Sequence, residues 1–274
     1  MLDAFDTDSA RKNLIATIAV ATAGMSLLVV LADDEARPFF TNWTINVTAG
    51  TAVGIAALVS IRQGVRGLYG SAHAALAAGL GLWLAAELLW TYYQLGLGID
   101  VPFPSVADAL WLAGYAPIAF HLFRVYSFFG RGRPAVAVTV SLGYAAFLGY
   151  LIVILVAAAT SEPEYKALAL ALSITYPALD GVLIVPCILV LLSLRHGRFT
   201  APPWTLLSST ILLIAFADSG FAYYAAAGLE DQIWVWDLLF NAGYIAIAAT
   251  LFWHKKFFIF DNNKLKKMWQ SENR

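Results

Sequence analysis

Apolar runs about as long as a bilayer's hydrocarbon is thick fill most of this chain, and that feature restricts its fold more than any other. A helix rises 1.5 Å per residue, so about 20 apolar residues cross the hydrocarbon core. Such runs occur near 13–32, 43–61, 72–94, 106–128, 135–158, 167–194, 204–227 and 233–253, with short connectors between them. Only 13% of the 274 residues are charged and 60% are hydrophobic, against about 25% charged in soluble domains. Within lipid, only helices and closed barrels satisfy their own backbone groups. Barrel strands alternate over about ten residues, whereas these runs are continuously apolar. The sequence therefore predicts an all-α polytopic membrane helix bundle of about eight transmembrane helices. The first run exceeds a signal-peptide core, and the residues before it mix Asp3, Asp6 and Asp8 with Arg11 and Lys12. It reads as a retained first helix.

The net charge of −1 conceals a segregated pattern. Connectors after even-numbered spans carry Arg62 and Arg66, Arg131 and Arg133, then Arg195 and Arg198. Lys255, Lys256, Lys264, Lys266 and Lys267 follow the last span. Connectors after odd-numbered spans carry Asp33, Asp34 and Glu35, Asp100, Glu162 and Glu164, then Glu230 and Asp231, with Arg37 and Lys166 as their only cations. Cations remain cytoplasmic, so the expected protein lies in the cell membrane with both termini inside. The pattern suits a lipid bilayer and offers no nucleic-acid surface. A single cysteine, Cys187, excludes an internal disulfide and a thiolate metal site.

Certain spacings recur. Glu87 precedes Tyr92-Tyr93 by five residues, as Asp218 precedes Tyr223-Tyr224; Asp108 precedes Ala113-Gly114-Tyr115 as Asp237 precedes Ala242-Gly243-Tyr244. Ser60-Ile61-Arg62-Gln63-Gly64 parallels Ser193-Leu194-Arg195-His196-Gly197. These matches keep one order, and predict two parallel four-helix repeats, 1–134 and 135–256, followed by a short basic cytoplasmic tail at 257–274.

Acids are costly in hydrocarbon and usually face a bundle interior or a water-filled cavity. Glu87, Asp180 and Asp218 lie within spans, and Asp108 and Asp237 near the outer ends of theirs. Helical periodicity sets Trp111 and Tyr115 on the face of Asp108, and Asn241 and Tyr244 on that of Asp237. Tyr176, Pro177 and Asp180 form a further polar point at mid-span, with Asn46 at roughly the equivalent place in the second span. Trp90, Tyr93 and Tyr223 complete the candidate ligand-binding or translocation set. Three roles suit it: interhelical glue, an outward cavity binding a small ligand or cation, or ion translocation. Trp43, Trp204, Trp234 and Trp236 read as interfacial anchors, Gly50 and Gly54 as a helix-packing pair, and Asn42-Trp43-Thr44 as a sequon close to the membrane. His121 reads as bonded to a neighbouring helix, and His73 as lacking a partner at metal-ligand spacing.

No lysine in the last spans suits a retinal Schiff base, and no nucleophile elbow, metalloprotease helix or phosphate loop is present. No catalytic residue, metal ligand or cofactor is expected.

The stretch from Pro102-Phe103-Pro104-Ser105 through Asp108, Trp111 and Tyr115, with Glu87, Trp90 and Tyr93 upstream and Tyr176-Pro177 and Asp180 downstream, resembles multi-span sensor regions of bacterial and archaeal signalling proteins. There such regions precede diguanylate cyclase or histidine kinase domains. The resemblance implies a ligand-sensing or accessory signal-transducing membrane protein. Only 21 residues, 254–274, follow the last span here, so such a sensor is expected to act on a separate membrane or cytoplasmic signalling partner. A secondary transporter or ion pathway, and a structural subunit of a membrane complex, are the alternatives.

Overall fold

The computed structural model describes residues 4–65, 67–129, 134–161, 167–194 and 201–254. Among them are eight long helices and no strand: α1 (Ala4–Val30), α2 (Arg37–Gln63), α3 (Gly67–Thr91), α4 (Val106–Phe129), α5 (Pro134–Ser161), α6 (Ala167–Leu194), α7 (Ala201–Ala226) and α8 (Trp234–His254). Each is long and apolar enough to cross a membrane, so the chain is a multi-pass integral membrane protein. A π-helical turn, Tyr92–Gly96, prolongs α3. The charges at 66, 131, 133, 162, 164, 166, 195 and 198, the tail lysines, and the Arg195-His196-Gly197 part of the helix-end match lie outside the described residues.

Six helices form a closed circuit in which α2 packs on α3, α3 on α4, α4 on α6, α6 on α7, α7 on α8 and α8 on α2. Helix α1 lies outside it against α8 and α2, and α5 lies outside against α6 and α7. Only 6% and 11% of the apolar windows of α1 and α5 are buried, against 39–44% for the others, so these two present most of their surface to lipid.

Small residues set the closest approaches. A Cβ on Gly114 would stand 2.4 Å from Cδ1 of Trp83, and one on Gly79 would stand 2.9 Å from the Gly114 carbonyl oxygen, so α3 and α4 meet through glycine. Across α7 and α8 the same role falls to Gly243, whose added Cβ would stand 2.6 Å from Ile214 Cγ1. The Gly50 and Gly54 pair behaves otherwise than expected. Neither has an atom within 4 Å of an added Cβ, and the buried stripe of α2 runs instead through Thr48, Ala49, Ala52 and Ala56.

The tryptophans also divide. Trp43 is 46% exposed, as an interfacial anchor should be, but Trp204 is only 4% exposed. It packs against the buried rings of His73 and His121, at centroid distances of 5.4 and 6.1 Å. The wide apolar ring fills the space among α3, α4 and α7 there, so packing takes precedence over its place near a helix end. Trp236 lies against Phe216 and Tyr224, and Arg37 stacks over Trp234.

Gly114→Ala is expected to destabilise the detergent-solubilised protein by about 1–3 kcal/mol, the usual cost of overpacking. Gly50→Ala and Gly54→Ala should be neutral or slightly stabilising, since Ala favours helix by about 1 kcal/mol. Thermal unfolding of the three variants measures both expectations.

Candidate functional site

The predicted acids and aromatics meet inside the six-helix circuit. Asp218 lies eight residues from the end of α7, Glu87 nine from the end of the π-turn, and Tyr115 and Tyr244 nine and ten from the starts of α4 and α8. At 1.5 Å per residue these positions are all about 12–15 Å from their helix ends, and Asp180, thirteen residues into α6, is about 20 Å deep. Their common depth follows from the equal spacings in the sequence.

Tyr115 joins three helices. Its hydroxyl oxygen is 2.7 Å from Asp180 Oδ1 on α6 and 3.1 Å from Asp218 Oδ2 on α7. Asp180 is fully buried, and its Oδ2 has no hydrogen-bond partner among the described residues. The ring of Tyr115 rests edge-on against Trp83, 5.7 Å between centroids, and Trp83 Nε1 donates to the Trp111 carbonyl. Gly114 gives the Trp83 ring its space, so one Gly-Tyr dipeptide both admits the neighbouring helix and delivers the hydroxyl.

The second Gly-Tyr dipeptide acts alike. Tyr244 on α8 directs its hydroxyl to Glu87 Oε1 on α3, at 3.3 Å, and the Trp111 side chain also reaches the Glu87 carboxyl. Trp111 in turn packs on Trp90 at 5.7 Å. Each tyrosine therefore contacts the acid that lies in the other half of the sequence.

Asp108 is held differently. Its Oδ2 accepts the Ser105 backbone N–H at 2.6 Å and the Ser105 hydroxyl at 3.0 Å, while Ser105 Oγ accepts the Ala107 N–H. This is a capping box, which satisfies donors left over at the helix start. Oδ1 accepts the Tyr176 hydroxyl at 2.8 Å, so the cap of α4 is tied to α6. Trp111 and Tyr115, expected on the face of Asp108, serve Glu87 and the Asp180–Asp218 pair instead.

Other candidates fall outside the centre. Asp237 is half-buried and makes no hydrogen bond among the described residues, although Glu87 lies within its electrostatic range. Asn241 turns away from Asp237; its Nδ2 donates to Thr44 Oγ1 and its Oδ1 accepts from Thr48, both at 2.9 Å, linking α8 to α2. Asn46 bonds Thr91 at 2.6 Å rather than reaching the acids. Tyr93 packs at a tilt against Tyr92 and Tyr223 edge-on against Tyr224, and Tyr223 is 45% exposed.

Sequence reasoning missed Tyr144. Its hydroxyl donates to the Pro177 carbonyl from α5, with Gly181 leaving room for its ring; a tyrosine in a span without acids carries no acid-to-tyrosine spacing signal. It likewise missed Thr44 and Thr48, and the meeting of His73 with His121, whose ring centroids are 6.0 Å apart. His121 does bond a neighbouring helix, through Nδ1 and the Ala72 carbonyl at 2.9 Å. Asn42 of the sequon is buried, with its amide bonded to the Pro38 carbonyl, Gln94 and Thr91.

Among the described residues no Lys or Arg pairs with Glu87, Asp108, Asp180 or Asp218, and no group of three metal-ligating side chains occurs. The centre is thus a set of carboxyls served by phenols and an indole, suited to holding a proton or a cationic ligand. Tyr115→Phe should cost about 1–3 kcal/mol, because two buried carboxyls lose the hydroxyl they share. Tyr244→Phe should cost less, because its contact is longer. Unfolding in mixed micelles measures the difference. Comparison with protein-family models, curated proteins and solved structures finds no match for this chain.

Proposed function

We propose that this protein is a membrane sensor or accessory signal-transducing subunit whose responsive element is the acid–tyrosine centre. The observation that carries this reading is convergence. Of the residues in the sensor-like pattern, Trp111 contacts Glu87 and Trp90 and is joined through Trp83 to Tyr115 and Asp180, while Asp108 ties α4 to Tyr176 on α6; Tyr93 lies apart. A ligand or ion entering from the side of the odd-numbered connectors would change which hydroxyl serves which carboxyl. Because those bonds join α4 to α6 and α7, and α8 to α3, the change would alter helix packing.

The two-repeat reading is supported by the contacts. Moving each helix of the circuit on by four maps α2–α3 to α6–α7, α3–α4 to α7–α8 and α4–α6 to α8–α2, all of which pack. The same shift maps the Tyr115–Asp218 contact onto the Tyr244–Glu87 contact. The acids then line a site between two units, open to the exterior, with both termini in the cytoplasm. The exposed apolar sides of α1 and α5 are where such a sensor would pass its state to a partner.

The test is reconstitution combined with cross-linking. In proteoliposomes, wild type and Asp218→Asn should show equal and negligible flux of protons, sodium and potassium. A photo-cross-linker at Leu142, on the exposed face of α5, should capture a partner in native membranes with a yield that differs at least twofold between wild type and Asp218→Asn. Flux abolished by Asp218→Asn would replace sensing by transport.

A further inference from the structure

The hydrogen bonds of Tyr115 do not balance unless a further hydrogen is present. A phenol carries one hydrogen and so donates once, whereas an ionised carboxylate only accepts. Yet the Tyr115 oxygen lies within hydrogen-bonding distance of both Asp180 and Asp218. Two ionised carboxylates could receive one bond between them, leaving the second contact as two lone pairs facing each other in a buried site. Asp180 is fully buried with its Oδ2 unpartnered among the described residues. The two carboxyls come within hydrogen-bonding reach of each other, which itself requires a proton on one of them, and no described Lys or Arg pairs with either. The contrast with Asp108 is informative, since that carboxyl receives three donors from Ser105 and Tyr176.

We propose that Asp180, Tyr115 and Asp218 form a single proton-binding site, in which one carboxyl carries the proton and donates to the Tyr115 oxygen while Tyr115 donates to the other carboxyl. Both contacts are then ordinary hydrogen bonds, and the pair bears one negative charge instead of two. Reversing both donations transfers the proton's place from one aspartate to the other without moving a helix. Losing the proton removes one bond and places two charges around one phenol, which separates α6 from α7.

The titratable groups facing this site from the packed elements can be named. They are Glu87 from α3, Tyr144 from α5, Tyr176 from α6 and Tyr244 from α8, with Asp108 of α4 one step further out against Tyr176 and Asp237 of α8 against Glu87; α2 carries none between Arg37 and Arg62. Of these, none is a cation. The geometry of the Glu87 contact needs no extra proton, because Tyr244 serves one carboxyl only. The proton as the sensed species rests on the sensing reading above, whereas the shared proton itself rests only on the contacts among Tyr115, Asp180 and Asp218.

Infrared difference spectroscopy on the full chain in lipid bilayers at neutral pH tests the site, because a protonated carboxyl has a carbonyl stretch distinct from that of a carboxylate. Asp180→Asn and Asp218→Asn are each expected to lose the same band to a similar extent, and the double variant should lose no more than either alone. Tyr115→Phe, which keeps both acids, should shift that band in frequency without abolishing it. Two different bands lost independently, no band lost in either variant, or no shift in Tyr115→Phe would overturn the proposal. So would a wild-type band that vanishes when sodium replaces choline at constant pH, since the centre would then hold a cation. A shared band with a Leu142 cross-linking yield that is the same at every pH supports the proton site and overturns only its role in sensing.

Discussion

A carboxyl in hydrocarbon must find a donor or a cation, because no bulk water reaches it; leaving it bare costs several kcal/mol. In this bundle the donors at the depth of the buried acids are chiefly phenols. Asp218 and Asp180 depend on Tyr115, and Glu87 on Tyr244 and Trp111. Each tyrosine follows a glycine that lets its helix approach the one before it. The polar centre and the helix packing are consequently written in the same few residues, and neither can change alone.

That dependence explains which helices surround the centre. The acids sit on α3, α6 and α7, and the tyrosines that serve them on α4 and α8, so these helices, closed by α2, form the inner circuit. Helix α1 remains outside, against α8 and α2. Helix α5 is also outside, yet it sends Tyr144 inward to the Pro177 carbonyl. The two sides of the circuit are not chemically equal. Where α4 meets α6 the link is an aspartate, but where α8 meets α2 it is Asn241 between Thr44 and Thr48. Only the first side places two carboxyls around one hydroxyl.

The spans were legible because a bilayer imposes a length, and the candidate acids because charge is rare inside such spans. The spacing of Glu87 and Asp218 from their tyrosine pairs marked a repeat and the depth of the acids but not their partners. Tyr223 and Tyr93, nearest in sequence to the acids, pack beside their own neighbours, whereas the bonds come from Tyr115 and Tyr244 on other helices. Periodicity along one helix says which residues share a face and is silent about what that face meets. For the same reason Gly50 and Gly54 looked like a packing pair, although their face is open and Gly79 and Gly114 make the close contact. Trp204 was misread because its position near a helix end suited an anchor, while the wide gap beside His73 and His121 exists only in three dimensions.

The central claim is that a tyrosine of one half and an acid of the other hold the circuit together. A double-mutant cycle on Tyr115→Phe and Asp218→Asn, read by unfolding in mixed micelles, measures that coupling apart from the effects of each change alone. The account predicts a favourable coupling of about 0.5–2 kcal/mol, at or above the usual value of about 0.6 kcal/mol for interhelical bonds in membranes. Additive effects, with coupling indistinguishable from zero, would contradict it.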